Sequence, residues 1–352
     1  MHPFIDGHLD LACMQLVDHD ILTPVDRAKF SISLPDLREG SVNIAFATIF
    51  TEPGEAAASK PIGYASSDHL DQAEAAGLRQ LHLYQSLESQ NLIRIIRSRA
   101  DLTHPLDLQK QSAPLNVVIL MEGADPIRSP EHARIWFDLG VRIVGLSWAM
   151  GTRYAGGNGP MPKSSGADPA IIARQSAART GPLSPLGREI VKTFDALGII
   201  HDASHLSDAA FDELLSLSTG PVIASHSNAR ALMNDWQRHI SDRHIRAIAS
   251  RNGIIGLNLF SMFLAIDRRA TIADCVNHLN HITSIMGHRR GIALGSDMDG
   301  GFGSDQLPEN LTHPSLFPKL LEALSNSGWS DADLRAFAYQ NWFDFLSRTL
   351  PV

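Results

Sequence analysis

Cysteine is almost absent from the 352 residues: only Cys13 and Cys275 occur. Two thiols cannot build a disulfide scaffold, so a packed core must carry the fold and a reducing compartment is expected. Positive charge is also scarce. Lys and Arg number 30 against 38 Asp and Glu, for a formal net charge of −8. That balance excludes the cationic surface needed to neutralise phosphates, and with it nucleic acid as the main partner. No apolar run approaches the roughly 18 residues of a membrane-spanning helix. The opening stretch MHPFIDGHLDLA has no basic and then apolar leader pattern, and the closing FLSRTLPV is too short and polar for an anchor. A cytoplasmic protein without membrane attachment is therefore expected.

What is present is an ordinary globular composition, 44% hydrophobic and 19% charged. The length exceeds a typical domain, but α/β barrels commonly enclose this much chain in one unit, so residues 1–352 are read as one domain. Eight short β-rich apolar runs alternate with helical patterns, the rhythm of a parallel sheet closed as a (β/α)8 barrel. They span Phe4 to His8, Val42 to Thr48, Asn116 to Glu122, Val141 to Trp148, Gly198 to His205, Pro221 to His226, Gly253 to Phe260 and Gly291 to Asp297. Helices are expected over Ser66 to Ala100, Pro130 to Leu139, Leu186 to Leu197, Ser207 to Ser216, Ser241 to Arg251, Ile272 to Met286 and Ser330 to Thr349. Two Gly/Pro/Ser-rich stretches, Glu52 to Ser67 and Tyr154 to Pro185, are too long for ordinary connections and read as loops over the active face.

Polar residues collect at the ends of these runs, where barrel enzymes keep their chemistry. The first run ends Asp6-Gly7-His8-Leu9-Asp10, and His8 and Asp10 share a parity that lets both face the barrel mouth. Glu122 follows an apolar stretch on the third run. On its own it would more readily cap the next helix or hold a structural ion pair. His205 and His226 close the fifth and sixth runs, and Asp297 closes the eighth. Asp299-Gly300 is explained by turn formation, but Asp297 is less so. One histidine at a strand end is usually structural; this set together points to metal. His205 and His226 suit one divalent ion, His8 and Asp10 a second, and Glu122 can bridge them. Imidazole and carboxylate donors without thiolate favour Zn²⁺, with Mn²⁺, Co²⁺ and Fe²⁺ still open. Two such ions can lower the pKa of a bridging water towards ~7 and polarise a carbonyl. Asp297 is then placed to accept the water's proton and return it to a departing amine.

The ordered set DGHLDL, MEGAD, HDASHLS, PVIASHSNARAL and GSDMDGG resembles the membrane (renal) dipeptidase family of the amidohydrolase superfamily over nearly the whole chain. The resemblance implies a binuclear zinc dipeptidase with His8, Asp10, Glu122, His205 and His226 as ligands and Asp297 as proton shuttle. It implies Arg238 as the binder of the substrate's terminal carboxylate. One departure stands out: the family's fourth strand ends in a histidine that steadies the tetrahedral intermediate, whereas this chain has Trp148. An indole N–H, or Arg153 or Tyr154 in the following loop, is the available donor. Phe260 stands where family members often carry a tyrosine. The expected substrate is a small dipeptide-like molecule, with L-Xaa-D-Xaa compounds suggested by bacterial relatives. An amidohydrolase acting on another small amide, lactam or ester is the alternative, and a metal-free binding barrel the more distant one. Homodimers are frequent among such barrels.

Overall fold

A computed structural model describes residues 2–108, 113–161 and 178–352. Eleven strands are numbered in chain order: β1 Phe4–Leu9, β2 Val42–Phe50, β3 Glu52–Pro53, β4 Gly63–Tyr64, β5 Ile93–Ile95, β6 Leu115–Glu122, β7 Val141–Gly145, β8 Ile200–Asp202, β9 Val222–Ile223, β10 Ile255–Leu257 and β11 Ile292–Leu294. Eight of them pair in parallel in the order β10-β11-β1-β2-β6-β7-β8-β9. A parallel bridge from Ala224 to Ile255 joins the two ends. The result is a nearly closed barrel of eight parallel strands with helices around it. The strands are apolar because both faces are covered: every residue of β1 and β6 is buried. Register aligns Glu122 with Gly145, Gly145 with Asp202 and Asp202 with Ile223, so four strand ends meet at one level of the rim.

The helices begin and end where local chemistry says they should. Ser184, Ser207 and Ser241 accept backbone N–H groups at the starts of Pro185–Leu197, Asp208–Leu217 and Asp242–Ser250. Thr271 and Asp274 form a reciprocal capping box on Ile272–Met286, and Gly287 ends that helix in the left-handed conformation. Among the described residues no helix is long and apolar enough to cross a membrane.

Several expected boundaries differ. The helix expected over Ser66 to Ala100 spans Leu70–Ser89. Asn91 then turns the chain with φ 57°, and the β-branched run after it pairs with β6 as the short strand β5. Ser330 to Thr349 is broken into Asp331–Arg335, a π-helical turn Ala336–Gln340 and Asn341–Thr349. The helix Phe317–Asn326, with Pro318 in its first turn, was not anticipated. The expected loop Glu52 to Ser67 contains the small parallel ladder β3–β4. Part of the second expected loop, 162–177, lies outside the described residues; its flanks are tied by the bridges Ala155 to Leu183 and Gly157 to Leu206. From the fourth strand on, ladder pairing stops early. β7 ends at Gly145 rather than Trp148, β8 at Asp202 rather than His205, and β11 at Leu294 rather than Asp297. The polar residues after these points leave the ladder and turn into the barrel mouth.

Candidate metal centre

All five expected ligands meet at the C-terminal rim. His8 Nε2 lies 3.0 Å from Glu122 Oε2 and 3.9 Å from Asp10 Oδ1. On the other side of the same carboxylate, His205 Nε2 is 2.9 Å and His226 Nε2 4.0 Å from Glu122 Oε1. The His8 and His226 rings stack with centroids 3.6 Å apart. Two trios of donor atoms, His8–Asp10–Glu122 and Glu122–His205–His226, each fall within 4.8 Å of one another, and Asp297 forms a third with His8 and His226. Two glycines permit the approach. A Cβ on Gly256 or Gly295 would sit 1.8 or 1.9 Å from the Ser225 carbonyl oxygen, so only glycine lets the Ser225-His226 turn settle onto β10 and β11.

The neighbouring hydrogen bonds fix which ring nitrogens carry protons. His205 Nδ1 is 2.8 Å from Asn158 Oδ1, and Asn158 Nδ2 is spent on the Gly159 carbonyl, so the amide oxygen accepts from Nδ1. His226 Nδ1 is 2.7 Å from Ser225 Oγ, whose own proton goes to Asp202 Oδ2 at 2.5 Å. Both Nε2 atoms therefore present lone pairs, and they face each other across 3.0 Å. His8 Nε2 is buried and has no aligned hydrogen-bond partner despite its closeness to Glu122. Lone pairs converging on a carboxylate in a dry site need a cation, and the donor set fits divalent metal.

Charges in the cluster follow the same logic. Burial alone would depress His8, but the Glu122 carboxylate outweighs it and raises the imidazole to about 10. Burial opposes ionisation of Glu122 too, yet His8 and His205 hold it well below the usual carboxylate range. Burial and then the Glu122 charge push Asp10 up to about 6. His205 is lowered to about 4 by burial and then by the Arg238 charge. Asp297 is raised to about 7, first by burial.

Around the cluster, Asp297 adopts φ 59°, a left-handed conformation that Asp tolerates better than most residues. Its Oδ2 accepts from Asn258 Nδ2 at 2.8 Å. Arg238 is fully buried and bonds only neutral acceptors: the Ser204 and His226 carbonyls and Ser227 Oγ. Its Nε has no partner. Trp148 lies beside His205, ring centroids 6.4 Å apart, and packs edge-on against Phe50 at 5.1 Å. Phe260 stacks on Phe302 at 4.3 Å, next to Asn258. Arg153 stands apart: it donates to the Arg128 carbonyl at 2.9 Å, and its described contacts do not reach the cluster. The Tyr154 hydroxyl likewise donates to the Ile127 carbonyl.

Sequence reasoning missed a second set of residues. Asp202 and Ser225 stand inside the motifs HDASHLS and PVIASHSNARAL, but strict alternation sets Asp202 opposite to His205; both face the mouth because the ladder ends at Asp202. Thr48 donates to Asp10 Oδ1 and Asp6 accepts from the His8 and Ser296 backbone at 3.2 and 2.8 Å. Nothing local signals Asn158, which reaches His205 from 47 residues away.

Residues 1–349 match the family model described as membrane dipeptidase, Peptidase family M19. An uncharacterised dipeptidase of Schizosaccharomyces pombe is 26% identical over 347 residues, covering 96% of this chain and 79% of its own. Among solved structures, the metallopeptidase dipeptidase AC superposes with a TM-score of 0.81 at 23% identity, over 100% of this chain and 99% of that one. A Rhodobacter sphaeroides metallopeptidase, liganded with a phosphinate mimic of the dipeptide L-Ala-D-Ala, gives 0.80 at 24% identity over 99% of both chains. These two likenesses show the shared barrel.

Proposed function

Because the chain belongs to the membrane dipeptidase family (Peptidase family M19), a family of metal-dependent hydrolases, we propose that it is a binuclear zinc dipeptidase cleaving small dipeptides, L-Xaa-D-Xaa among them. The observation that carries this reading is the pair of facing imidazole lone pairs, 3.0 Å apart, beside a carboxylate that also abuts His8. His205, His226 and Glu122 Oε1 would hold one ion; His8, Asp10 and Glu122 Oε2 the other. When bound, the ions supply Lewis acidity, acidifying a water and polarising the scissile carbonyl.

The chain's own residues do the rest. Asp297, tied through Oδ2 to Asn258, accepts the attacking water's proton and delivers it to the departing amine. Arg238 receives the substrate's C-terminal carboxylate: this buried guanidinium hydrogen-bonds only neutral groups and has no carboxylate in direct contact, although Asp297, Glu122 and Asp202 lie near enough to act on its charge. The preference for a D-residue draws support from the ligand of the Rhodobacter sphaeroides neighbour. The proposed setting is the cytoplasm, in keeping with two free thiols.

Trp148 favours a second reading. One lost oxyanion donor commonly costs about 3 kcal/mol of transition-state stabilisation, and an enzyme so altered is suited to a lactam, ester or other small amide. The deciding experiment pairs elemental analysis of the purified protein with a panel of L-Xaa-L-Xaa and L-Xaa-D-Xaa dipeptides. Two zinc per chain with cleavage supports the first reading. Two zinc, no dipeptide cleavage and turnover of lactams or esters selects the second.

A further inference from the structure

Ser225 has one proton and two lone pairs, and the structure shows where each goes. The proton is donated to Asp202 Oδ2 at 2.5 Å. Ser204 spends its own proton on Asp202 Oδ1 at 2.7 Å, so the 3.2 Å approach of the two hydroxyl oxygens carries no hydrogen. Asp202 also accepts the Ser204 and Ser225 backbone N–H groups, at 3.1 and 2.9 Å, so four donors face its two oxygens. Both lone pairs of Ser225 are then left for imidazoles: His226 Nδ1 at 2.7 Å and His8 Nδ1 at 3.3 Å. These two histidines come from β1 and the turn after β9, and they fall on different sides of Glu122.

We propose that Ser225, seated on Asp202, is the shared positioning residue of both metal sites, setting the tautomer of one histidine ligand in each. The inference rests on the two-ion reading above and deepens it. Because the hydroxyl's proton is committed to Asp202, both Nδ1 atoms must be the donors and both Nε2 atoms must carry lone pairs. A negative charge behind a shared hydroxyl also raises the basicity of the two rings together. By contrast, among the five candidate ligands Thr48 touches Asp10 alone, and Asn158 touches His205 alone.

The test is a competition titration of chelator-stripped protein with Zn²⁺, resolving the affinity of each ion, on the wild type, Ser225→Ala and Thr48→Val. Ser225→Ala is expected to weaken both ions, by roughly 10- to 100-fold, and Thr48→Val only one. Wild-type protein that takes up fewer than two equivalents overturns the two-ion reading and the shared role with it. Two equivalents in the wild type, with either ion kept at wild-type affinity in Ser225→Ala, overturns this inference alone. If Ser225→Ala does not fold, ¹H–¹⁵N spectra of zinc-loaded wild type decide. His8 and His226 must both be protonated at Nδ1, and an Nε2 proton on either one refutes the arrangement.

Discussion

Asn258 donates from Nδ2 to Asp297 Oδ2 across 2.8 Å, which ties one oxygen of the proposed shuttle carboxylate. Asn258 is itself held, its backbone N–H donating to Asn228 Oδ1 at 3.1 Å. Asp297 is therefore positioned by the strand end that also carries Phe260. Replacing Asp297 with Asn should lower kcat/KM by about 10²- to 10⁴-fold, the range of a lost general acid–base group. Metal content should be unchanged, since elemental analysis of the variant reads the ligands and not the shuttle. A variant that sheds metal instead would make Asp297 a ligand.

The same carboxyl predicts a pH profile. Burial raises Asp297 to about 7, and the proton-accepting form is the deprotonated one. Activity should therefore fall as pH drops through an acid limb at or below about 7, because bound cations draw the value down further. A kcat/KM profile from pH 5 to 9 locates the limb. Residual activity in Asp297→Asn should lack it.

Metal binding should itself be acid-sensitive. Metal must displace protons from His8, held at about 10 by Glu122 against the effect of burial, and from Asp10, raised to about 6 by burial and then by Glu122. Apparent Zn²⁺ affinity should fall steadily from pH 8 to pH 5. At neutral pH a free ion at 1,000 times its Kd adds about 4 kcal/mol of stability, so a chelator should lower Tm by several degrees. Equal Tm values with and without chelator would remove the ions from the folding equilibrium.

Arg238 should discriminate on charge. Arg238→Met is expected to lower kcat/KM for free dipeptides by about 100-fold, or about 3 kcal/mol, mostly through KM. Dipeptides with an amidated C-terminus should be poor substrates of the wild type and much less affected by the change. Equal losses on acid and amide would place the carboxylate elsewhere.

Away from the site, Asp195 predicts acid stability. Burial opposes its ionisation, but His201 at 2.8 Å and the Thr219 N–H and hydroxyl lower it to about 2. A depressed carboxylate stabilises the fold above its unfolded value near 3.9, and that stability is lost as pH falls through about 2. Asp195→Asn should cost about 1 kcal/mol at pH 7, after allowance for solvent screening. Calorimetry should show the difference from wild type closing towards pH 2, with zinc content unaltered because His201 faces this pair and not the metal cluster.

Much of this protein was legible in order along the chain. The strand rhythm is local: apolar runs bounded by turn residues declare themselves within eight or so positions, and β1, β2 and β6 lie within a residue or two of where the sequence puts them. The candidate ligands were legible because each follows such a run, and a buried charged residue has little use there without a partner. Helix lengths were less so. Leu92 to Ile96 reads as a helix continuation until β6 is present to pair with it.

By itself, then, the sequence determined the barrel, its eight strands and the five candidate donors that the structure brings together, because these depend on composition and short-range period. Only the tertiary structure decided which ring nitrogens face the cluster. Ser225, Asp202, Asn158 and Asn258 act across the barrel: Ser225 meets Asp202 and His8 at separations of 23 and 217 residues. A proton's position on an imidazole is set by whatever stands 3 Å away in space, and no local pattern in the chain records that distance.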